Sequence, residues 1–212
     1  QAYFVRNNIN TPFKSNLMGA TDFQTLFNGI YPAVKDKFGW NDGVSKLYTT
    51  LSHDFLYKDP TLNCNFLDNH DLTRIATEFG GDANKVKMGL GWLLTTRGIP
   101  QIYYGTEVLM KGDKGINDGW VRLDFPGGWD GDTKSAFTQA GLTAEEKDVQ
   151  DYTKKLANFR KQSPAIKKGK FMQYVPDDGL YVYFRYSDNQ TVMCVMNTSE
   201  NAKNLSANNY SE

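Results

Sequence analysis

The spacing of hydrophobic positions changes once along this chain, near Pro164. Before it, short apolar runs alternate with stretches of helical period; after it, the period drops to two. Residues 15–20 suit a short strand. Phe23, Leu26, Phe27 and Ile30 then fall on one face of a helix. A second helix is expected from about Asp42, with Val44, Leu47, Tyr48, Leu51 and Phe55 on one side and Asp59-Pro60 at its end. Residues 62–67 read as a strand that runs straight into Asp68-Asn69-His70-Asp71. Past Gly80-Gly81, Asp82 can cap a helix burying Val86, Leu90, Leu93 and Leu94, closed by Gly98. Residues 99–104 form the next apolar run. A Gly- and Asp-rich loop of some three dozen residues follows, a length that marks functional or mobile segments. Thr143 and Glu146 make a capping box for a helix carrying Val149, Tyr152, Leu156 and Phe159, stopped by Ser163-Pro164. Residues 170–175, 180–186 and 191–197 have strand period, with turn chemistry at Pro176-Asp177-Asp178-Gly179 and Ser187-Asp188-Asn189.

Strand–helix alternation followed by an all-β tail predicts an α/β fold, a parallel sheet with a small antiparallel β domain after it. The boundary falls near Ala165, dividing residues 1–165 from 166–212. A whole (β/α)8 barrel takes ~250 residues, or at least ~200. About 165 precede the tail here, and three strand–helix units are visible. The sheet is therefore open, or the barrel lacks its N-terminal half. The chain starts at Gln1 without a Met and is expected to be processed or cut from something larger.

Composition removes several classes of function. Lys+Arg number 24 and Asp+Glu 24, so the chain has no net charge and no field to draw it to nucleic acid or anionic membranes. No apolar run approaches the ~18 residues of a membrane span. Two His and two Cys exclude a zinc site of several such ligands, and no metal site is expected. Cys64 and Cys194 should be free thiols. Four Asn-x-Ser/Thr patterns, at Asn189, Asn197, Asn204 and Asn209, are what an Asn-rich tail produces by chance.

The segment richest in chemistry is Phe66-Leu67-Asp68-Asn69-His70-Asp71. Polar side chains where a buried parallel strand ends lie on the face that carries sites in α/β folds. A carboxylate beside an imidazole can hydrogen-bond several hydroxyls at once, as a sugar ring requires. The same residues also suit a helix N-cap or a solvated loop. About thirty residues later comes Gly98-Ile99-Pro100-Gln101-Ile102-Tyr103-Tyr104-Gly105-Thr106-Glu107, the spacing of the next strand–helix unit.

Together these two segments resemble the seventh- and eighth-strand motifs of the α-amylase family of glycoside hydrolases, in order and in spacing. Residues 15–23 look like the sixth strand and its exit, the helix through Leu156 and Phe159 like the last barrel helix, and the tail like the start of the C-terminal β domain. Arg122-Leu123-Asp124-Phe125-Pro126-Gly127-Gly128-Trp129 is similar to a loop of the neopullulanase and cyclomaltodextrinase-like branch. The resemblance implies a partial TIM-type barrel, about strands 6–8 with their helices. It also implies retaining action on α-glucosidic bonds of starch, maltodextrin or cyclodextrin type. Asp71 matches the Asp that stabilises the transition state and His70 the neighbouring sugar-binding His. The nucleophile and acid/base have no counterpart here, and residues 1–8 look like sequence just past strand five. The chain alone should be inactive, its partners being an α-glucan or maltooligosaccharide and the N-terminal half of the barrel. No cofactor is required within it; the resemblance leaves room for calcium in the full-length enzyme and for a homo-oligomer. A glucan polymer as substrate favours a secreted or periplasmic location over a cytoplasmic one.

Further residues divide between two roles. Asn69, Arg74, Trp120 and Phe125 join the substrate-binding set, the last three with an alternative role. Arg74 either orients a carboxylate or lies in a surface ion pair. Trp120, Phe125 and Trp129 either stack on glucose rings or pin the loop. Glu107 is expected to brace loops, and His53 to be an ordinary surface or packed histidine. Asp113, Asn117 and Asp118 resemble a calcium loop only loosely and miss EF-hand spacing. Two other classes stand beside the enzyme fragment: a non-catalytic carbohydrate-binding or interaction module of the same fold, and an unrelated open α/β enzyme. Against the latter, no G-x-G-x-x-G, P-loop or nucleophile elbow occurs.

Overall fold

A computed structural model describes residues 16–210. The resemblance at residues 1–8, and the first residue of the expected strand at 15–20, lie outside the described residues. Three parallel segments lie side by side in chain order. Residues 20–22 join the first neighbour through a single bridge, Thr21 to Cys64. There Cys64 N–H donates to Ala20 O at 2.9 Å and Asp22 N–H to Cys64 O at 2.8 Å. Strand β1 (Cys64–Phe66) pairs in parallel with β2 (Ile99–Gln101), Cys64 opposite Ile99 and Phe66 opposite Gln101. Both strands are shorter than the apolar runs predict. Pro60–Leu62 is a 3-10 turn before β1, and pairing stops at Gln101 because its partner β1 ends at Phe66; no strand lies beyond β2 among the described residues. Gly98 turns into β2 at φ 97°, where a Cβ would sit 2.5 Å from Asn65 Nδ2 and 2.8 Å from Asn63 O. Only glycine lets the turn run this close to β1.

Helix α1 starts as Phe23–Thr25, widens to a π-helical stretch at Leu26–Ile30 and continues as Tyr31–Lys35. Asp22 caps it, accepting from Thr25 N–H at 2.9 Å. Leu26 and Ile30 are buried as expected, but Phe23 and Phe27 are half exposed. Phe23 packs edge-on against Phe66 and stacks on Phe27, and even so both rings remain half exposed. Helix α2 (Val44–Ser52) buries Val44, Leu47 and Leu51. It ends before the expected stop, in a 3-10 turn His53–Leu56 that swings Phe55 into solvent. Asp59 instead caps the next short turn through Thr61 N–H.

After β1 come α3 (Ile75–Glu78) and α4 (Ala83–Thr95), the latter capped by Asp82 and burying Val86, Leu90, Leu93 and Leu94 as the periodicity predicts. The long loop holds one short helix, α5 (Asp118–Val121). Helix α6 (Ala144–Gln162) has both bonds of the capping box between Thr143 and Glu146. Ser163 then caps a further turn of helix, α7 (Pro164–Lys168), where the sequence reading has only a stop. Strands β3 (Lys170–Gln173), β4 (Leu180–Ser187) and β5 (Gln190–Asn197) form a separate antiparallel sheet in chain order.

The two parts share one core. Tyr181, Tyr183 and Met196 of the antiparallel sheet pack into the cluster that holds Leu47, Leu51, Leu90 and Trp92. Arg185 is buried at this junction and donates to Thr95 O, Thr96 O, Gly169 O and Lys170 O at 2.5–3.3 Å. Deeper still, Arg97 binds Asp54 with two bonds of 2.8 and 2.6 Å and reaches Asp22 at 3.3 Å and Asn65 at 3.1 Å. Both cysteines are free. Among the described residues no helix is long and apolar enough to cross a membrane.

Candidate active site

Where β1 ends, the chain turns from core to rim within four residues. Leu67 is buried and its carbonyl accepts from the Tyr31 hydroxyl at 2.9 Å. Asp68 is buried too. Its Oδ2 accepts from Ile75 N–H and its Oδ1 from the Thr106 hydroxyl, each at 2.8 Å. Burial pushes the Asp68 carboxyl up to about 6, against the lowering by its two hydrogen bonds and Arg74; Glu107 raises it further. Asn69 is largely buried and spends its Oδ1 on Asp71 N–H at 2.8 Å, an Asx turn that aims the next side chains outward.

His70 and Asp71 stand on the rim, their side chains 63% and 59% exposed, with His70 Nε2 3.2 Å from Asp71 Oδ2. The other Asp71 oxygen, Oδ1, accepts from Arg122 Nη2 at 3.0 Å. Arg122 also donates through Nε to His70 O at 3.0 Å and through Nη2 to Asp118 Oδ2 at 3.2 Å. Asp118 is further paired with Lys114, and that hydrogen bond holds its carboxyl below the usual carboxylate range. The result is an exposed ledge of alternating charge at the strand end. Arg122 opens the Arg122–Trp129 motif, yet nothing local marks it as the partner of Asp71, 51 positions away.

Arg74 corrects the expectation placed on it. It is fully buried, neither in a surface ion pair nor gripping a carboxylate. Its guanidinium donates to Val121 O at 3.0 Å and to Tyr104 O, and lies 4.2 and 4.6 Å from the Tyr103 and Tyr104 ring centres. The reason is geometric: residues 72–74 are not helical, so three positions past Asp71 is not the same face. Arg74 sews the long loop to the strand ends instead, helped by Arg74 N–H to Gly112 O at 2.9 Å and the Tyr104 hydroxyl to Leu123 O at 2.7 Å.

The loop aromatics separate. Phe125 is partly buried beside Val108, Ala136 and Leu142, with its ring 5.3 Å from Phe137, and so pins the loop. Trp120 and Trp129 are exposed. Glu107 has a buried Oε2 with no partner. The oxygens of the loosely calcium-like set are engaged by the protein: Asp113 by Gly115 N–H and the Thr73 hydroxyl, Asn117 by Trp120 N–H, Asp118 by Lys114 and Arg122. Among the described residues no group of three such side chains could hold a metal ion. His53 is exposed, its ring edge-on to Phe55.

Comparison with known proteins agrees over nearly the whole described chain. Residues 22–167 match the family described as "Alpha amylase, catalytic domain". Residues 171–212 match "Cyclo-malto-dextrinase C-terminal domain", the branch that the loop from Arg122 to Trp129 resembles. A cyclomaltodextrin glucanotransferase of Geobacillus stearothermophilus is 34% identical over 146 residues, 69% of this chain and 17% of the relative. A cyclomaltodextrinase of Geobacillus thermopakistaniensis is 33% identical over 143 residues, 66% of this chain and 22% of the relative. The crystal structure of an Anoxybacillus α-amylase superposes with a TM-score of 0.67 at 23% identity, over 85% of this chain and 36% of that one. The chain thus spans well under half the length of the proteins it matches.

Proposed function

The chain belongs to the α-amylase family, and from that membership we propose that it is the C-terminal part of a retaining, α-glucan-active catalytic barrel. On this reading residues 1–165 supply about strands 6–8 with their helices, and residues 166–212 begin the C-terminal β domain. The observation that carries it is the Asp71–His70–Arg122 ledge at the C-terminal end of a parallel strand.

The chemistry follows from what each group can do. Retaining glycoside hydrolysis needs two carboxylates ~5–5.5 Å apart, one to attack and one to protonate the leaving oxygen. Asp71 already accepts from Arg122 and faces His70, so it serves as an acceptor for ring hydroxyls rather than a proton source. As positive charge grows on the flattening ring, hydroxyl hydrogens become better donors and a fixed carboxylate binds them more tightly. That preference for the transition state is what raises turnover. His70 adds a neutral hydrogen bond to the same sugar, and Arg122 fixes the orientation of the Asp71 carboxylate. The nucleophile and the acid come from the N-terminal half, and the complete enzyme has room for calcium. A glucan polymer as substrate goes with placement outside the cytoplasm.

In the complete enzyme, Asp71→Asn should lower kcat ~10²–10³-fold, on the order of 3–4 kcal/mol, with little change in KM. His70→Ala should cost ~0.5–1.5 kcal/mol, the worth of a neutral hydrogen bond. An effect of Asp71→Asn confined to KM would instead favour a carbohydrate-binding module. Hydrolysis of a maltooligosaccharide by the 212-residue chain alone would overturn the partial-barrel reading.

A further inference from the structure

Asp68 is the buried neighbour of an exposed site, and its burial has a cost. A carboxylate withdrawn from water is unfavourable unless its environment replaces the lost hydrogen bonds, and an apolar residue would fill the same space more cheaply. Asp68 is 1% exposed. Tyr31, Arg74 and Glu107 face it from α1, from the turn before α3 and from the turn after β2. No carboxylate–guanidinium bond compensates it: Arg74 donates through Nε and Nη1 to the carbonyls of Val121 and Tyr104, and its buried Nη2 has no partner.

Both oxygens have a task. The bond from Ile75 N–H to Oδ2 closes the loop 68–75 on itself, and the bond from the Thr106 hydroxyl to Oδ1 fastens that loop to the turn after β2. Within the loop, Asn69 Oδ1 holds Asp71 N–H. Asp71 therefore hangs from a loop whose two ends meet at one side chain, and that side chain also sets its height against the neighbouring strand. We infer that Asp68 is a positioning residue for Asp71, pinning the loop 68–75 between Ile75 N–H and the Thr106 hydroxyl so that the Asp71 carboxylate is held where ring hydroxyls meet it.

This rests on the role proposed for Asp71 above, and the experiment separates the two. In the full-length protein acting on maltooligosaccharides, three variants are compared. Asp68→Leu keeps the branched shape and removes both acceptors. Thr106→Val removes one bond. Asp68→Asn keeps both, accepting from Ile75 N–H and donating to the Thr106 hydroxyl. Asp68→Leu should lower kcat ten- to a hundredfold at nearly unchanged KM, Thr106→Val several-fold, and Asp68→Asn less than threefold. Each is repeated with Asp71→Asn. A residue acting through Asp71 should add no further loss there, whereas general destabilisation would add in full. Hydrogen exchange of the same proteins should show faster exchange in peptides covering 68–75 for Asp68→Leu, with wild-type exchange elsewhere.

Three outcomes overturn the inference: Asp68→Leu within threefold of wild type, losses that add in the Asp71→Asn background, or Asp68→Asn as damaged as Asp68→Leu. If Asp71→Asn itself keeps full turnover, it is the reading of the site that fails. The exchange result then decides the pinning by itself, and unchanged exchange over 68–75 would overturn it.

Discussion

The side of the molecule that faces β3–β5 and the side that flanks the parallel strands treat their polar and apolar groups in opposite ways. Toward the antiparallel sheet the long polar side chains find partners, although Trp92 Nε1 and Thr96 Oγ1 are buried without one. Arg185 spends its donors on four carbonyls, Gln173 donates to Tyr48 O at 3.0 Å, the Tyr183 and Thr95 hydroxyls lie 2.5 Å apart, and Arg97 sits between Asp54 and Asp22. Beside the parallel strands, Ile99 of β2 is 51% exposed and Phe23 and Phe27 of α1 are 42% and 46% exposed, and β2 has no neighbour beyond it among the described residues. One interface is complete within this chain. The other has the composition of a half-interface, and we propose that the preceding half of the barrel covers it.

The largest test bears on the finished side. Arg97→Met would leave Asp22, with no side-chain exposure, and the partly buried Asp54 without their cation. Removing one partner of a buried pair costs about 3–5 kcal/mol. Urea denaturation should show that loss, and a change below about 1 kcal/mol would mean the cluster does not hold this side together.

Asp68 lies between the two sides, and its effect is somewhat smaller. Its folded carboxyl titrates at about 6, above the ordinary Asp value. The folded state therefore binds a proton more readily than the unfolded one. The stabilisation this brings is full below pH ~4 and is lost as pH rises through ~6, a change of about 3 kcal/mol for a shift of about 2 units. Stability measured across that window should fall with pH in the wild type and lose this component in Asp68→Asn. Equal slopes in the two proteins would refute it.

The smallest effect on stability, and the sharpest test of the contrast, is on the open side. Changing Phe23 and Phe27 together to Gln should lower the folding stability of the chain by about 2 kcal/mol, since each ring has about half the ~1.5–3 kcal/mol of a fully buried side chain to lose. Sedimentation should show the wild-type chain self-associating and the double variant much less so. A wild-type chain that is a clean monomer with a cooperative melt would mean that the open side is not a half-interface.

Local chemistry was legible at most places where it depended on neighbours in the chain, although the Ser163 cap of α7 was taken only as a stop. The capping box at Thr143 and Glu146, the Asp82 cap, the buried faces of α2 and α4 and the period-two tail all follow from interactions between residues a turn or a strand apart. The Asn-His-Asp turn at the end of β1 was legible for the same reason. Phe55 was misplaced because helical spacing alone does not show that α2 stops at Ser52. The end of β2 was misplaced because a strand is as long as its partner allows, and the partner is not part of the local pattern.

The sequence by itself determined the order of the elements, their periods, their caps and the position of a polar cluster after a buried strand. Only the tertiary structure decided which arginine serves that cluster. Arg74, three residues from Asp71, went inside to bind carbonyls, and Arg122, 51 positions away, came to the carboxylate. It likewise brought Arg97 to Asp22 and Asp54 across 75 and 43 positions. Helical and strand periods relate residues only within one element. Pairing between elements depends on how loops close and which groups must be satisfied once water is excluded, and those are properties of the packed molecule.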